Sequence, residues 1–127
     1  MKDRIDVRGA SGAVYRFSLC DQSLLLSPMG GNYLYVRERG TAYDIILAGE
    51  GQNLANDARS RWRDAVRSHG ATHLFTRLNI AERIRRSEHA DIVAIANPAM
   101  NRENDTDNKS VCKRSAWPPT ATGNTED

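Results

Sequence analysis

Apolar and polar residues alternate along residues 4–20 in the manner of two paired strands. Ile5 and Val7 share one face of the first strand, and the segment Gly-Ala-Ser-Gly at 9–12 supplies a turn. The return strand carries Val14, Tyr15, Phe17 and Leu19. This pattern predicts an N-terminal β-hairpin.

Three further segments have the composition of strands. Residues 32–37 read Asn-Tyr-Leu-Tyr-Val-Arg, and residues 43–48 follow them after a turn. Residues 72–78 form the third segment. The segment Gly49-Glu50-Gly51 is predicted to end the strand of residues 43–48, because glycine weakens the interior of a strand.

Two helices are predicted from the spacing of apolar side chains. The first runs from about residue 54 to 69, with Gly70 as a left-handed stop after it. Trp62 falls in its apolar stripe and is expected in the core rather than on a base-stacking surface. The second runs over 80–96, with Asn79 as its N-cap.

An acidic residue interrupts the apolar stripe of the second helix. That stripe consists of Ile84, Ile92 and Ile95, and Glu88 follows Ile84 by four residues. A carboxylate on an apolar face needs a partner or a metal. Glu88 is therefore either an acid of a functional site or a residue at the rim of the face that pairs with an arginine.

The length and the elements together predict a single α/β domain of the α+β kind, with a small, mainly antiparallel sheet flanked by helices. The hairpin and its lead-in occupy residues 1–29, and the main part occupies residues 30–101. Residues 102–127 are almost wholly polar and are predicted to be a disordered tail.

The remaining composition indicates a soluble, cytoplasmic protein without a membrane partner. Cys20 and Cys112 lie far apart and neither belongs to a CxxC pair, so reduced thiols are expected. The first residues lack the apolar core of a signal peptide. No segment approaches the roughly 18 apolar residues of a membrane span.

The formal net charge is only +2, so any basic surface must be local. Arginines are concentrated in and around the two predicted helices, and guanidinium groups suit phosphate recognition. They are Arg59, Arg61, Arg63, Arg67, Arg77, Arg83, Arg85 and Arg86. The cluster favours a nucleic-acid partner, and the alternative is an ordinary solvated helix face.

Several short segments, taken in order, resemble the GIY-YIG nuclease superfamily. They are Gly31-Asn32-Tyr33, Leu47-Ala48-Gly49-Glu50, Asn53-Leu54 with the arginine-rich helix after it, Glu88, and Asn97-Pro98-Ala99-Met100-Asn101. The match spans roughly residues 30–101 and depends on order and spacing rather than on one motif.

The resemblance implies Mg²⁺-dependent hydrolysis of a phosphodiester, with the metal on Glu88 and with Tyr33 helping to organise or activate the nucleophile. It also makes DNA the favoured partner. Tyr33 could equally be a core aromatic residue whose hydroxyl bonds to the backbone. Asn101 is expected to tie down the end of the domain rather than to contact substrate.

Two positions depart from the pattern of the superfamily. Leu47 replaces the tyrosine of the second motif, and Asp57 replaces the arginine of the first helix. Arg59 or Arg61 could supply the missing cation if the register of the helix shifts. Loss of one such electrostatic group costs about 10²–10³ in rate.

We therefore expect a degenerate GIY-YIG-like domain that binds nucleic acid and has absent or weak endonuclease activity. The residues expected to contact nucleic acid are Arg59, Arg61, Arg63 and Arg85. The alternatives are an active endonuclease with a rearranged site and a non-catalytic protein-interaction domain.

Overall fold

The computed structural model describes residues 2–20 and 26–103. Its elements are β1 (Arg4–Arg8), β2 (Val14–Leu19), β3 (Gly31–Arg39), β4 (Ala42–Gly51), α1 (Leu54–Asp57), α2 (Trp62–His69), β5 (His73–Leu78) and α3 (Glu82–Ala96). All strands form one antiparallel sheet in the order β1-β2-β5-β3-β4. The predicted α+β class is confirmed.

The predicted hairpin is confirmed and is part of the main sheet. β1 pairs with β2 in a register that places Ile5 opposite Phe17. Gly12 in the turn has φ +92°, a conformation that residues with a β-carbon rarely adopt. β2 then pairs with β5, with Leu19 opposite Phe75, so that the hairpin extends the sheet rather than standing apart from it.

The predicted break at Gly49-Glu50-Gly51 is wrong, because β4 continues through all three residues. Gly49 lies opposite Tyr33, and Gly51 lies opposite Gly31. Both glycines leave room for side chains that cross the strand. A β-carbon at position 51 would overlap the carboxyl group of Asp57, and one at position 49 would overlap the ring of Tyr33.

The predicted helix over 54–69 is divided into α1 and α2, and a buried hydroxyl occupies the division. The Tyr35 hydroxyl donates to the carbonyl oxygen of Ala58 at 2.8 Å and accepts from the backbone N–H of Arg61 at 3.2 Å. These bonds satisfy backbone groups that a continuous helix would pair internally. Gly70 is the left-handed stop after α2 with φ 71°, as predicted.

The predicted N-cap of α3 is wrong, and of its predicted apolar stripe only Ile92 is buried. Its N-cap is Ala81, because the side-chain amide of Asn79 is bonded elsewhere in the fold. Ile84 and Ile95 are 52% and 56% exposed. The face that packs on the sheet instead carries Arg85 and Ile92, which are buried, with Glu88 and His89 half-buried between them.

The sheet separates two apolar cores, because alternate residues of β3 point to opposite faces. Tyr33 and Tyr35 pack against α1 and α2 on one face. Leu34 and Val36 pack with Ile92 of α3 on the other. Within the described ranges, no helix has the length and apolar character required to cross a bilayer.

The C-terminal part of the described chain differs slightly from its predicted boundary. Residues 99–103 form a helical turn, which includes Arg102 and Glu103 of the predicted tail. The rest of that tail, residues 104–127, lies outside the described residues.

Candidate functional site

Tyr33 is a buried residue of β3 whose phenol belongs to the α1 and α2 side of the sheet. Burial, with the negative charge of Asp57, raises the pKa of the Tyr33 phenol above its ordinary value. A hydrogen bond with Ser60 and the positive charge of Arg61 lower that pKa in partial compensation. The phenol is therefore protonated at neutral pH and is a hydrogen-bond donor rather than a general base.

The two residues that depart from the superfamily pattern lie on this same side. Leu47 is buried in the core beside Tyr33 and pairs with Tyr35 in the sheet. Asp57 closes α1, and its Oδ2 accepts the backbone N–H of Asn53 at 3.2 Å. The carboxylate therefore stabilises the start of its own helix.

Glu88 faces the sheet from α3, and its side chain is 17% exposed. Its Oε1 accepts from Nε of Arg77 and from the side-chain amide of Asn79, each at 2.9 Å. The Asn79 amide also donates to the side chain of Asn32 at 2.9 Å. Of the two interpretations of Glu88, pairing with an arginine is the arrangement that the structure contains.

The structure does not bring Tyr33 and Glu88 together. Glu88 is linked through Asn79 to Asn32, the residue that precedes Tyr33 on the strand, and neighbouring strand residues point to opposite faces. The charges that act on the Tyr33 phenol are those of Asp57, Arg61 and Glu50. The expected catalytic pair is therefore divided by the sheet.

The surroundings of Glu88 do not fit the Mg²⁺ that the resemblance implies. Magnesium prefers carboxylate and water oxygens, whereas here the guanidinium of Arg77 brings a positive charge to the same oxygen atom. Among residues 2–20 and 26–103, no group of three or more acidic, histidine or cysteine side chains is placed to hold a metal. Glu88 acts instead as one member of a polar network beneath α3.

Asn101 has the structural role that was expected of it. Its side-chain oxygen accepts the backbone N–H of Ala48 and its side-chain nitrogen donates to the Ala48 carbonyl oxygen, both at 2.9 Å. β4 is an edge strand, so these two backbone groups have no neighbouring strand to pair with. The amide of Asn101 takes the place of that strand.

Arg85 is removed from the candidate nucleic-acid interface by its burial. Its side chain is 3% exposed, and its Nε donates to Glu50 at 2.7 Å. One terminal nitrogen also donates to the carbonyl oxygen of Ile80 at 3.2 Å. The Arg85 guanidinium is thus bound within the protein, because position 85 lies on the face of α3 that packs on the sheet.

Four other arginines around α2 share a different environment. Among the described residues, none of them has a carboxylate within 4.0 Å. We call them the α2 arginine surface: Arg59, Arg61, Arg63 and Arg67. Elsewhere, six arginines are bound to acidic side chains: Arg16, Arg37, Arg39, Arg77, Arg85 and Arg86.

The positions within α2 determine where this surface points. Ala65 is the buried residue of the helix, and Arg63 and Arg67 lie on the opposite side of it, one turn apart. Arg61 immediately precedes the helix and lies close to Tyr33. Arg67 belongs to the arginine cluster of the sequence but not to its four expected contact residues. The four-residue spacing between Arg63 and Arg67 is the sequence signal that places Arg67 on the same surface as Arg63.

No protein-family model matches the chain, and neither a curated protein nor a solved structure matches it.

Proposed function

We propose that this domain binds nucleic acid, with DNA as the favoured form, and does not cleave it. The observation that carries the proposal is the α2 arginine surface, where four guanidinium groups occur within nine residues and lack acidic partners among the described residues. Phosphate oxygens are suitable counter-charges for such groups, and they position a protein on nucleic acid without reading its sequence.

Kinship with the GIY-YIG superfamily is part of the same proposal, and it supports the choice of DNA. What supports the kinship is the order of two paired strands, a helical segment, a third strand and a helix over residues 31–96. Two contacts are consistent with this kinship. The ring of Tyr33 lies across Gly49, and the side chain of Asn101 is bonded to Ala48, and all four residues belong to the segments of the resemblance.

The lack of cleavage in the proposal rests on the two faces of the sheet. Tyr33 and Glu88 point to opposite sides, and the Glu88 carboxylate is occupied by Arg77 and Asn79. A phosphodiester that contacts one of these side chains cannot contact the other. The protein therefore retains a surface for phosphates without an assembled catalytic site.

The test compares two double variants that change the net charge equally. Arg63→Glu with Arg67→Glu alters the α2 arginine surface, and Arg4→Glu with Arg8→Glu alters strand β1. Fluorescence anisotropy with labelled duplex and single-stranded oligonucleotides should show binding by the parent, with a salt slope of about −0.9 per phosphate contact on duplex DNA. The first variant should bind at least about tenfold more weakly, and the second should bind like the parent.

Two results would contradict the proposal. One is an absence of binding at low salt, and the other is an equal loss in both double variants, since that would reflect net charge alone. Incubation with plasmid DNA and Mg²⁺ tests the absence of cleavage. Cleavage by the parent that disappears in Glu88→Gln would establish an active enzyme instead.

A further inference from the structure

A groove separates the two edge strands of the sheet. β1 and β4 stand at opposite ends of the strand order, and both line two adjoining cavities of about 720 and 440 Å³. Asp6 and Tyr43 line both cavities, so the groove is continuous. The sheet therefore curls until its edges face each other without pairing.

The backbone of β1 is unpaired on the side that faces the groove. The backbone N–H of Leu19 donates to the carbonyl oxygen of Asp3 at 2.7 Å. Antiparallel pairs alternate between hydrogen-bonded and non-bonded, so the odd-numbered residues of β1 are the ones bonded to β2. The N–H and C=O groups of Arg4, Asp6 and Arg8 consequently point away from β2, toward the groove.

The backbone of β4 is also unpaired on the side that faces the groove. The backbone N–H of Thr72 donates to the carbonyl oxygen of Val36 at 2.8 Å, so even-numbered residues in this part of β3 bond on the side opposite to β4. In β4, the residues opposite Val36 and Glu38 are Ile45 and Tyr43. The N–H and C=O groups of Tyr43 and Ile45 therefore also point into the groove.

The inner side of the groove is apolar. Ile95 and Ala96, near the end of α3, line the smaller cavity beside Val7 and Ile45. Ile95 is 56% exposed, although it lies next to buried core. A side chain directed inward from a chain in this groove would cover that isoleucine.

The outer side of the groove is basic. Arg4 and Arg8 are exposed and have no carboxylate within 4.0 Å among the described residues. Two of the acids that line the cavities are bound to arginines, since Asp6 is bound to Arg16 at 3.0 Å and Asp44 is bound to two arginines, and Glu38 is the third acid of the lining. A side chain directed outward would therefore be favoured if it were acidic.

We propose that this groove binds an extended segment of a partner protein as a sixth strand, with apolar and acidic residues alternating along it. Unpaired backbone groups on both walls specify a strand rather than a helix. Side chains of a strand alternate between its two faces, so one set contacts Ile95 and the other contacts Arg4 and Arg8. This binding surface is separate from the α2 arginine surface.

The test uses the full chain and a synthetic eight-residue peptide in which valine alternates with glutamate. Amide chemical shifts should change at Arg4, Asp6, Arg8, Tyr43 and Ile45. A peptide with lysine in place of glutamate should bind about tenfold more weakly, because two favourable charge contacts become repulsive. Methylation of alternate backbone nitrogens should weaken binding by a similar factor, because strand hydrogen bonds are lost.

A matched pair of substitutions on one helix locates the binding surface. Ile95→Glu should weaken binding of the glutamate peptide about tenfold, since the substitution removes an apolar contact and adds a charge of the same sign as the peptide's. Ile84→Glu, at an isoleucine of similar exposure outside the groove, should leave the affinity unchanged.

The proposal is overturned if the peptide does not bind, if it shifts amides elsewhere, or if both substitutions weaken it equally. Hydrogen exchange of the free chain provides a further check. Protection of the five groove amides that persists on dilution would mean that the chain's own residues fill the groove. Protection that is lost on dilution would mean that a second copy fills it, and either result overturns the proposal.

Discussion

The ring of Tyr33 lies across the backbone of Gly49, so that a β-carbon at position 49 would overlap Cζ of the tyrosine. The two residues are directly opposite each other on β3 and β4. Glycine is therefore required in the interior of this strand by its neighbour, and not by a turn.

Replacing Gly49 with alanine should lower the free energy of unfolding by about 1–3 kcal/mol, because the ring or the strand must move. Urea denaturation measures this change. In a Tyr33→Ala background the same substitution should cost much less, because the overlapping ring is gone. An equal cost in both backgrounds would show that the ring is not the cause.

Replacing Tyr35 with phenylalanine should lower the free energy of unfolding by about 1–3 kcal/mol. The hydroxyl satisfies the backbone of Ala58 and Arg61 between α1 and α2, and its loss leaves both groups buried and unpaired. Tyr43→Phe is the control and should stay within about 0.5 kcal/mol. A matching loss in the control would remove the special role of the Tyr35 hydroxyl.

Alkaline pH should destabilise the fold through the same tyrosine. Burial raises the pKa of Tyr35 from 10.0 to about 12. The folded pKa is above the unfolded one, so this stabilisation is complete below pH 10 and is lost as pH rises toward about 12. Chemical denaturation across this range should show declining stability, with a smaller decline in Tyr35→Phe. Formation of the Tyr35 phenolate near pH 10 in folded protein would contradict the prediction.

Arg85→Met should lower the free energy of unfolding by about 2–3 kcal/mol, because the partly exposed Glu50 loses its buried partner and keeps only Arg86, at 3.8 Å. DNA affinity should not change, since this guanidinium is bound within the fold. Arg83→Met, at an exposed position of the same helix, is the control and should stay within about 0.5 kcal/mol. Weaker DNA binding by Arg85→Met at full stability would return Arg85 to the interface.

Asn101→Ala should cost about 1–3 kcal/mol of unfolding free energy, because the Ala48 N–H loses its partner and the Ala48 carbonyl oxygen keeps only its contact with the His89 ring at 3.0 Å. Asn101→Asp should not restore the loss, since a carboxylate cannot donate to the Ala48 carbonyl oxygen. Asn56→Ala, at an exposed asparagine, is the control. Wild-type stability in Asn101→Asp would mean that the donated bond contributes nothing.

Elements that depend on neighbours in the chain could be predicted from the pattern. Alternation identified the hairpin and the strands, and Gly70 marked the left-handed end of α2. The division between α1 and α2 could not be predicted, because a hydroxyl from Tyr35, more than twenty residues away, determines it. Asn79 likewise has the sequence context of an N-cap, yet its amide binds Asn32 and Glu88 across the fold.

The order of the elements, the α+β class and the residues available for chemistry follow from the chain's own pattern. Which of those residues meet depends on how distant elements pack. Tyr33 and Glu88 lie on opposite sides of the sheet. Arg85 is buried and bound to Glu50, whereas Arg63 and Arg67 are exposed at the surface. The physical reason is that periodicity fixes which residues share a face of one element, whereas the packing of distant elements decides what covers that face.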